Sequence, residues 1–200
     1  MVSGGPRFGL RQHFACAPWT DAVEVYFGDG VEAYLTPVGP ACIGVAFLCE
    51  SFERASYEKL LLRFPELKER LASSPRASTV AGVGPLARAA RARSRDRLVL
   101  LGDAAGYLDA ITGEGLSLAL KGAAELGELL PEALKKGAAR ECFLAFERAE
   151  ARRFALYAHS ARAVLGLARR PRARRRALDF LGRHPRLFSA LVAAVVGAGD

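Results

Sequence analysis

The most informative part of this sequence is the stretch Leu98-Val99-Leu100-Leu101-Gly102-Asp103-Ala104-Ala105-Gly106-Tyr107, followed by Thr112-Gly113-Glu114-Gly115. Its four leading apolar residues predict a buried strand. The small residues after that strand leave room for a ligand to lie against the backbone. Asp103 follows the carboxyl end of the strand, where its carboxylate can accept hydrogen bonds from sugar-like hydroxyls. The stretch therefore predicts a ligand-binding turn.

A helix is predicted after this turn, over residues 114–130, and Pro131 is expected to stop it. Thr112 is expected to cap the helix, while Gly113 and Gly115 let a flat ring approach the exposed N–H groups of its first turn. Those N–H groups and the helix dipole favour negative charge. The turn and the helix start together form the candidate site.

These two motifs resemble the second FAD motif of geranylgeranyl reductase-like flavoproteins and, more loosely, that of the class A aromatic-ring monooxygenases. The resemblance implies an FAD-dependent oxidoreductase with NAD(P)H as donor and a small-molecule or isoprenoid substrate. It implies that Asp103 binds the ribityl hydroxyls and that the glycine turn lies beside the isoalloxazine ring. It names no catalytic residue and no metal ligand. The implied cofactor-binding residues are Gly102, Asp103, Ala104, Gly106, Thr112, Gly113, Glu114 and Gly115.

The chain departs from these families in two respects. Class A enzymes show a histidine and a proline-rich turn after Gly-Asp-Ala-Ala, where this chain has Gly106 and Asp109-Ala110-Ile111. This difference favours the reductase-like branch. The G-x-G-x-x-G unit that holds the ADP half of FAD does not precede the motif. We therefore expect the C-terminal portion of a full enzyme, from a truncated or split gene or a partial gene call, with a separate N-terminal half as a partner.

A second glycine pattern, Gly82-Val83-Gly84-Pro85-Leu86-Ala87, fits G-x-G-x-x-A and lies upstream of Asp103 at a spacing suited to a ribose ligand. The strand before it, over 78–81, is short, and Pro85 would head a short basic helix. A loop that crosses back to the flavin domain is the favoured interpretation.

The N-terminal part predicts an antiparallel sheet, because short runs rich in Val, Ile, Tyr and Phe are separated by turn residues. In the second run, Val23, Val25 and Phe27 alternate with Glu24 and Tyr26, which indicates one packed and one wetter face. Tyr34-Leu35-Thr36-Pro37 and Gly44-Val45-Ala46-Phe47 also resemble the substrate-domain strand pair of the flavoproteins. The predicted strands are 11–17, 22–27, 31–36 and 43–48.

Helical periodicity appears over 56–71, where Pro65 is expected to start a second short helix, and over most of the chain after residue 140. We expect an α+β fold. Its parts are an antiparallel substrate-domain portion over 1–87, a strand-loop-helix FAD segment over 88–131, and a helical C-terminal region over 132–200.

The composition is that of a globular protein, with 51% hydrophobic and 25% charged residues and a net charge of +8. Cys42 and Cys49 bracket a strand and are expected to be buried free thiols. No signal pattern and no apolar run of about 18 residues is present, so we expect a cytoplasmic protein.

Two basic segments leave alternatives open. The arginines of 88–97 lack interleaved aromatics, so a solvated face or a contact with the FAD pyrophosphate is favoured over nucleic acid. Residues 169–176 carry six arginines and 187–196 are almost wholly apolar. This pair predicts either peripheral contact with an anionic membrane or, as the favoured interpretation, a buried helix after a solvated basic one.

The leading functional hypothesis is an FAD-dependent oxidoreductase of reductase or monooxygenase type. The alternative is a catalytically inactive remnant or binding module that holds no stable FAD.

Overall fold

An antiparallel sheet of five strands dominates the first of two structural units, Met1–Leu86 and Ala87–Asp200. The computed structural model describes residues 6–50 and 56–196, with side chains up to residue 193. The predicted antiparallel sheet is confirmed. Its strands are β1 (Phe8–Phe14), β2 (Glu24–Phe27), β3 (Val31–Gly39), β4 (Cys42–Cys49) and β5 (Ala81–Val83). Their order in the sheet is β2-β3-β4-β1-β5.

The first strand lies three residues earlier than predicted. It pairs with β4 along its whole length, from Phe8 opposite Cys49 to Phe14 opposite Ile43, and this pairing fixes its ends. Cys49 is buried as expected, whereas Cys42 is half-buried; both are free thiols.

The core of this unit lies on one face of the sheet, where alternate side chains of β3 and β4 are fully buried. Two short helices, α1 (Tyr57–Leu61) and α2 (Pro65–Arg70), pack in the same cluster. Pro65 starts the second helix, as predicted. The strand residues of this core are Val31, Ala33, Leu35, Ile43, Val45 and Phe47.

The predicted facing of β2 is wrong. Tyr26 is paired with Ala33 and packs against the core, whereas Val25 is exposed. Residues directly opposite on neighbouring strands share a face, so the register with β3 places Tyr26 on the core side. Hydrophobicity alone assigned the valines to that side.

The glycine pattern of 82–87 does not form a dinucleotide-binding unit. Ala81–Val83 pairs antiparallel with β1 at the edge of the sheet. Such a unit needs a parallel strand that leads into a helix. Gly82 and Val83 end this strand, and residues 84–87 form a loop, so the favoured loop interpretation is right for the second part of the segment.

Unit Ala87–Asp200 begins with two very short antiparallel pairs. Strand β6 (Arg88–Ala89) pairs with β9 (Gly106–Tyr107), and β7 (Ser94–Arg95) pairs with β8 (Leu98–Val99). The expected buried strand over 98–101 is therefore wrong: only two residues are in β conformation, and Leu98 is 49% exposed. Within the described residues, β8 pairs along one edge with β7, which is only two residues long. So short a pairing does not bury the side chains of β8.

Helix α3 (Gly115–Lys135) runs past Pro131, which was expected to stop it. Proline removes the bond that its N–H would make to the carbonyl of Gly127, but the chain remains helical beyond it. Ala133, in the turn after the proline, is buried with Ala138 and Phe143. Tertiary packing of this last turn therefore outweighs the lost hydrogen bond.

Three further helices complete the unit: α4 (Leu144–Ala168), α5 (Pro171–Arg183) and α6 (Pro185–Val196). The predicted helical C-terminal part is confirmed. The favoured expectation that the last helix is buried is wrong, because Leu187, Phe188, Leu191 and Val192 are all exposed. None of the helices described is long and apolar enough to cross a membrane.

Candidate functional site

An open cleft of about 640 Å³ lies between the 3₁₀ turn Gly102–Ala104 and the start of α3. This volume falls within the range typical of small-molecule and cofactor sites. Five of the eight predicted site residues line it. The lining comprises Leu101, Gly102, Asp103, Ala104, Tyr107, Asp109, Ala110, Gly113, Gly115, Leu116 and Ala119.

The turn that carries Asp103 depends on a glycine. Gly102 has a φ of +56°, and a Cβ placed on it would lie 3.0 Å from the Cβ of Ala119. The left-handed conformation and this close approach both exclude larger residues. The N–H of Ala105 donates to the carbonyl of Gly102 at 2.9 Å and closes the turn. Asp103 is consequently held, exposed, in the wall of the cleft.

The opposite wall is the beginning of α3. Gly113 has a φ of +71°, and no atom lies within 4 Å of where its Cβ would be. Its N–H donates to the carbonyl of Ala110 at 3.1 Å, which sets the direction of the chain into the helix. The first-turn amides of a helix have no acceptors inside it, so they are donors for a ligand. The predicted pairing of Asp103 with a glycine-lined helix start is thus present in one cleft.

Thr112 does not cap α3, contrary to the expectation. The residue at the N-cap position is Glu114, which makes no side-chain capping bond. Because the helix begins at Gly115, the Thr112 hydroxyl lies too early to reach the first-turn amides. The Oγ1 of Thr112 is buried without a hydrogen-bond partner among the described residues.

Glu114 and Thr112 are not among the residues that line the cleft. Glu114 is buried, and one of its carboxylate oxygens, Oε1, has no hydrogen-bond partner in the part of the chain described. Burial raises the pKa of this carboxyl group, because the charged form is poorly solvated there. The Glu114 side chain therefore lies in the protein interior beside the cleft and not on its surface.

Gly106 lines a second, small space of about 30 Å³ together with Phe154 and Tyr157. A Cβ on Gly106 would lie 3.2 Å from Cε2 of Phe154. The guanidinium carbon of Arg93 lies 5.2 Å from the centre of the same ring. Gly106 therefore permits close packing against α4, and the structure does not place it in the cleft.

Sequence reasoning missed the residue that holds the loop between turn and helix. The N–H of Asp109 donates to the hydroxyl of Tyr157 at 3.1 Å, and that hydroxyl in turn donates to the Asp109 carbonyl. The Asp109 carboxylate accepts from the N–H of Ile111 at 3.0 Å. Burial raises the pKa of Tyr157, so its hydroxyl keeps its proton. In the sequence, Tyr157 lies in a segment that shows helical periodicity alone, which gave no sign of this role.

The basic run of 88–97 supplies no side chain to the lining of the cleft. Its half-buried member, Arg93, contacts Phe154, and the N–H of Arg93 donates to Glu147 at 3.2 Å. The arginines at positions 88, 91, 95 and 97 are exposed, which agrees with the solvated face that was one of the two favoured interpretations. The other, a contact with the FAD pyrophosphate, stays a prediction. Nowhere in the described chain do three His, Cys, Asp or Glu side chains form a potential metal site.

The cleft therefore offers a carboxylate that accepts hydrogen bonds, a helix start that donates them, and a backbone left bare by glycine and alanine. An elongated ligand with hydroxyl groups on one part and an anionic or carbonyl edge on another suits this set of groups.

Comparison with known proteins gives one sequence relative and several solved folds. No protein-family model matches the chain. Over 120 residues the chain is 27% identical to digeranylgeranylglycerophospholipid reductase 2 of Methanosphaera stadtmanae. The aligned region covers 58% of this chain and 30% of that protein.

Among solved structures, the flavin-dependent brominase Bmp2 superposes with a TM-score of 0.75 at 15% identity, covering 96% of this chain and 50% of the brominase. A flavoprotein/dehydrogenase from Cytophaga hutchinsonii superposes with a TM-score of 0.65 at 17% identity. The match covers 86% of this chain and 44% of that protein. The fold is therefore one that flavin enzymes use. The chain spans half or less of the length of these proteins.

Proposed function

We propose that this chain forms the C-terminal portion of an FAD-dependent oxidoreductase and that its cleft holds the flavin and ribityl part of FAD. The observation that carries the proposal is the presence of Asp103 and of the glycine-flanked start of α3 in the walls of one cleft. The sequence relative and the solved neighbours, all of them flavin enzymes or a lipid reductase by name, support it.

The residues present fit such a cofactor. Gly102, Ala104 and Gly113 leave the backbone on both sides of the cleft free of bulky side chains. Leu116, which is 72% exposed at the rim, offers an apolar surface for a ring. A flat ring and a polyhydroxyl chain have complementary surfaces here, and nothing in the lining opposes them.

Each group would act by position and charge. The Asp103 carboxylate would accept hydrogen bonds from the ribityl hydroxyls, and the first-turn amides of α3 would stabilise negative charge at the flavin edge. Bound flavin would supply the redox chemistry, with NAD(P)H as the proposed donor. Tyr157 would keep the loop of Asp109 in place between these two groups.

The substrate that we propose is a small molecule, with an isoprenoid lipid as the first to test. The basis is the name of the sequence relative, a digeranylgeranylglycerophospholipid reductase. The ADP part of FAD would be held by residues outside the portion of these enzymes that the chain spans.

Titration of the purified chain with FAD and with riboflavin, followed by flavin fluorescence, tests the proposal. Riboflavin lacks the ADP part, so both ligands should bind with similar affinity if the cleft holds the ring and ribityl chain. Asp103→Ala should weaken both by about tenfold to a hundredfold, the equivalent of one hydrogen bond to a charged group.

A matched control is Asp21→Ala, which removes an exposed carboxylate from the other unit and should leave binding unchanged. A chain that binds neither ligand would favour the alternative, a module that holds no stable FAD. Equal loss of binding in both variants would remove Asp103 from the site.

A further inference from the structure

The last two helices combine positive charge with exposed apolar surface. Residues 169–186 contain eight arginines and one acidic residue, Asp179. This segment holds a large share of the basic residues that give the chain its net charge of +8. The cleft uses none of them.

Helix α5 turns most of its arginines toward solvent. Ala177 and Leu181, four residues apart on one face, are half-buried. Arg172, Arg175 and Arg176 lie on other sides of the helix and are exposed. The helix is therefore amphipathic, with a cationic outer surface.

Helix α6 exposes an apolar face instead. Leu187, Phe188, Leu191 and Val192 occur at positions i, i+1, i+4 and i+5, which places them on one side of the helix. Their exposed fractions lie between 43% and 49%. Four large apolar side chains exposed side by side mark an interaction surface rather than a solvated one.

The corner between the two helices brings the two properties together. A groove of about 490 Å³ lies there, and its lining includes two arginines beside apolar side chains. The rings of Phe180 and His184 are in contact, with centroids 4.6 Å apart. The lining residues are Phe180, Arg183, His184, Pro185, Arg186 and Leu187.

We propose that α5 and α6 form a peripheral docking surface for a bilayer that contains anionic phospholipid. The apolar face of α6 lies among the upper acyl chains, and the arginines of α5 and of the corner groove contact lipid phosphates. Charge alone would suit any polyanion, and apolar surface alone would suit a protein. A surface that carries both fits the membrane interface, where phosphates lie directly above hydrocarbon.

Sedimentation of the full chain with vesicles tests this proposal. Binding to vesicles of phosphatidylglycerol and phosphatidylcholine should exceed binding to pure phosphatidylcholine by at least about tenfold, and should fall as salt is raised. These comparisons use the unaltered protein, so they do not depend on the folding of any variant. Equal binding to both kinds of vesicle, or none to either, would overturn the proposal.

Two variants separate the charged and apolar contributions. The triple change Arg172→Gln, Arg175→Gln and Arg176→Gln should weaken binding about a hundredfold, since each basic residue near the surface contributes about fivefold. Phe188→Ser with Leu191→Ser should also release the protein. The matched control, Arg148→Gln with Arg152→Gln and Arg162→Gln, removes three exposed arginines from α4 and should keep most of the binding.

Other occupants of the surface would give different results. If the α4 control loses as much vesicle binding as the α5 variant, net charge explains the loss, and α5 and α6 do not form a docking surface. Duplex DNA or RNA that binds as tightly as the vesicles and competes with them would identify a nucleic-acid site. A dimer in lipid-free solution that Phe188→Ser and Leu191→Ser dissociate would identify a contact between copies. Each of these outcomes overturns the proposal. None bears on flavin binding, so the two proposals stand or fall separately.

Discussion

The Oδ1 atom of Asp103 lies 3.6 Å from the point where a side chain on Gly115 would begin. The Cε2 atom of Tyr107 lies 4.0 Å from the same point. The turn that carries the carboxylate and the first residue of α3 therefore face each other across the width of one side chain. A larger residue at position 115 would enter this gap, which lies in the candidate flavin site.

Gly115→Val is expected to block ligand binding without unfolding the protein. A Cβ at this position makes only ordinary contacts, but the two methyl groups beyond it would occupy the space beside Asp103. Riboflavin affinity should fall by at least about tenfold, which corresponds to about 1.4 kcal/mol. Fluorescence titration measures the affinity, and thermal unfolding checks the fold. Gly166→Val, in α4 with nothing within 4 Å of its Cβ position, is the control and should bind normally.

Two glycines of α3 should respond oppositely to replacement by alanine. At Gly122 a Cβ would lie 2.8 Å from Cδ1 of Leu101 and 2.9 Å from Oε1 of Glu150, which Arg153 holds in an ion pair. Gly122→Ala should destabilise the protein by about 1 kcal/mol or more through overpacking. At Gly127 nothing lies within 4 Å, so Gly127→Ala should stabilise it by about 0.5–1 kcal/mol.

Urea unfolding of both variants measures these free energies. A stabilising Gly122→Ala would show that Leu101 and Glu150 move aside at little cost.

Tyr157→Phe should loosen the loop that separates turn and helix. The buried N–H of Asp109 would lose its acceptor, at a cost of about 1–3 kcal/mol. Faster hydrogen exchange at residues 108–113 and a lower free energy of unfolding are the expected results. Tyr57→Phe, which removes a buried hydroxyl bonded to Val45 in the other unit, should leave exchange at 108–113 unchanged. Unaltered exchange in the Tyr157 variant would refute the role assigned to this residue.

Glu114→Gln should stabilise the protein at neutral pH and not in acid. Burial raises the pKa of this carboxyl group above its usual value of 4.5. Below that value the group is protonated in both folded and unfolded chains, so glutamate and glutamine behave alike. As the pH rises through the raised pKa, the unfolded chain ionises freely while the folded chain does so only at a cost, and wild-type stability declines.

Thermal melts of the wild type and of Glu114→Gln at several pH values test this predicted decline in stability. The melting temperature of the variant should exceed that of the wild type only above the usual glutamate pKa. Glu128→Gln, an exposed position of the same helix, is the control. A variant less stable at neutral pH would mean that the charged carboxylate has a favourable partner.

The location of the candidate site and most of the element order could be predicted from local features of the sequence. Gly102, Gly113 and the small residues around Asp103 mark a turn and a helix start, because φ angles and close approach restrict residue type locally. Turn residues and periodicity likewise located four of the five sheet strands and the C-terminal helices to within a few residues, and missed the edge strand β5. These properties depend on neighbours in the chain, so a sequence can express them.

Which faces are buried and which groups come into contact became clear from the folded structure alone. The register of β2 with β3 placed Tyr26 inward, packing around Ala133 carried α3 past Pro131, and Tyr157 reached Asp109 from a helix 48 residues away. The exposure of α6 likewise could not be predicted from its own residues. Each of these outcomes depends on contacts between residues distant in sequence, and hydrophobicity or propensity at a single position carries no information about such contacts.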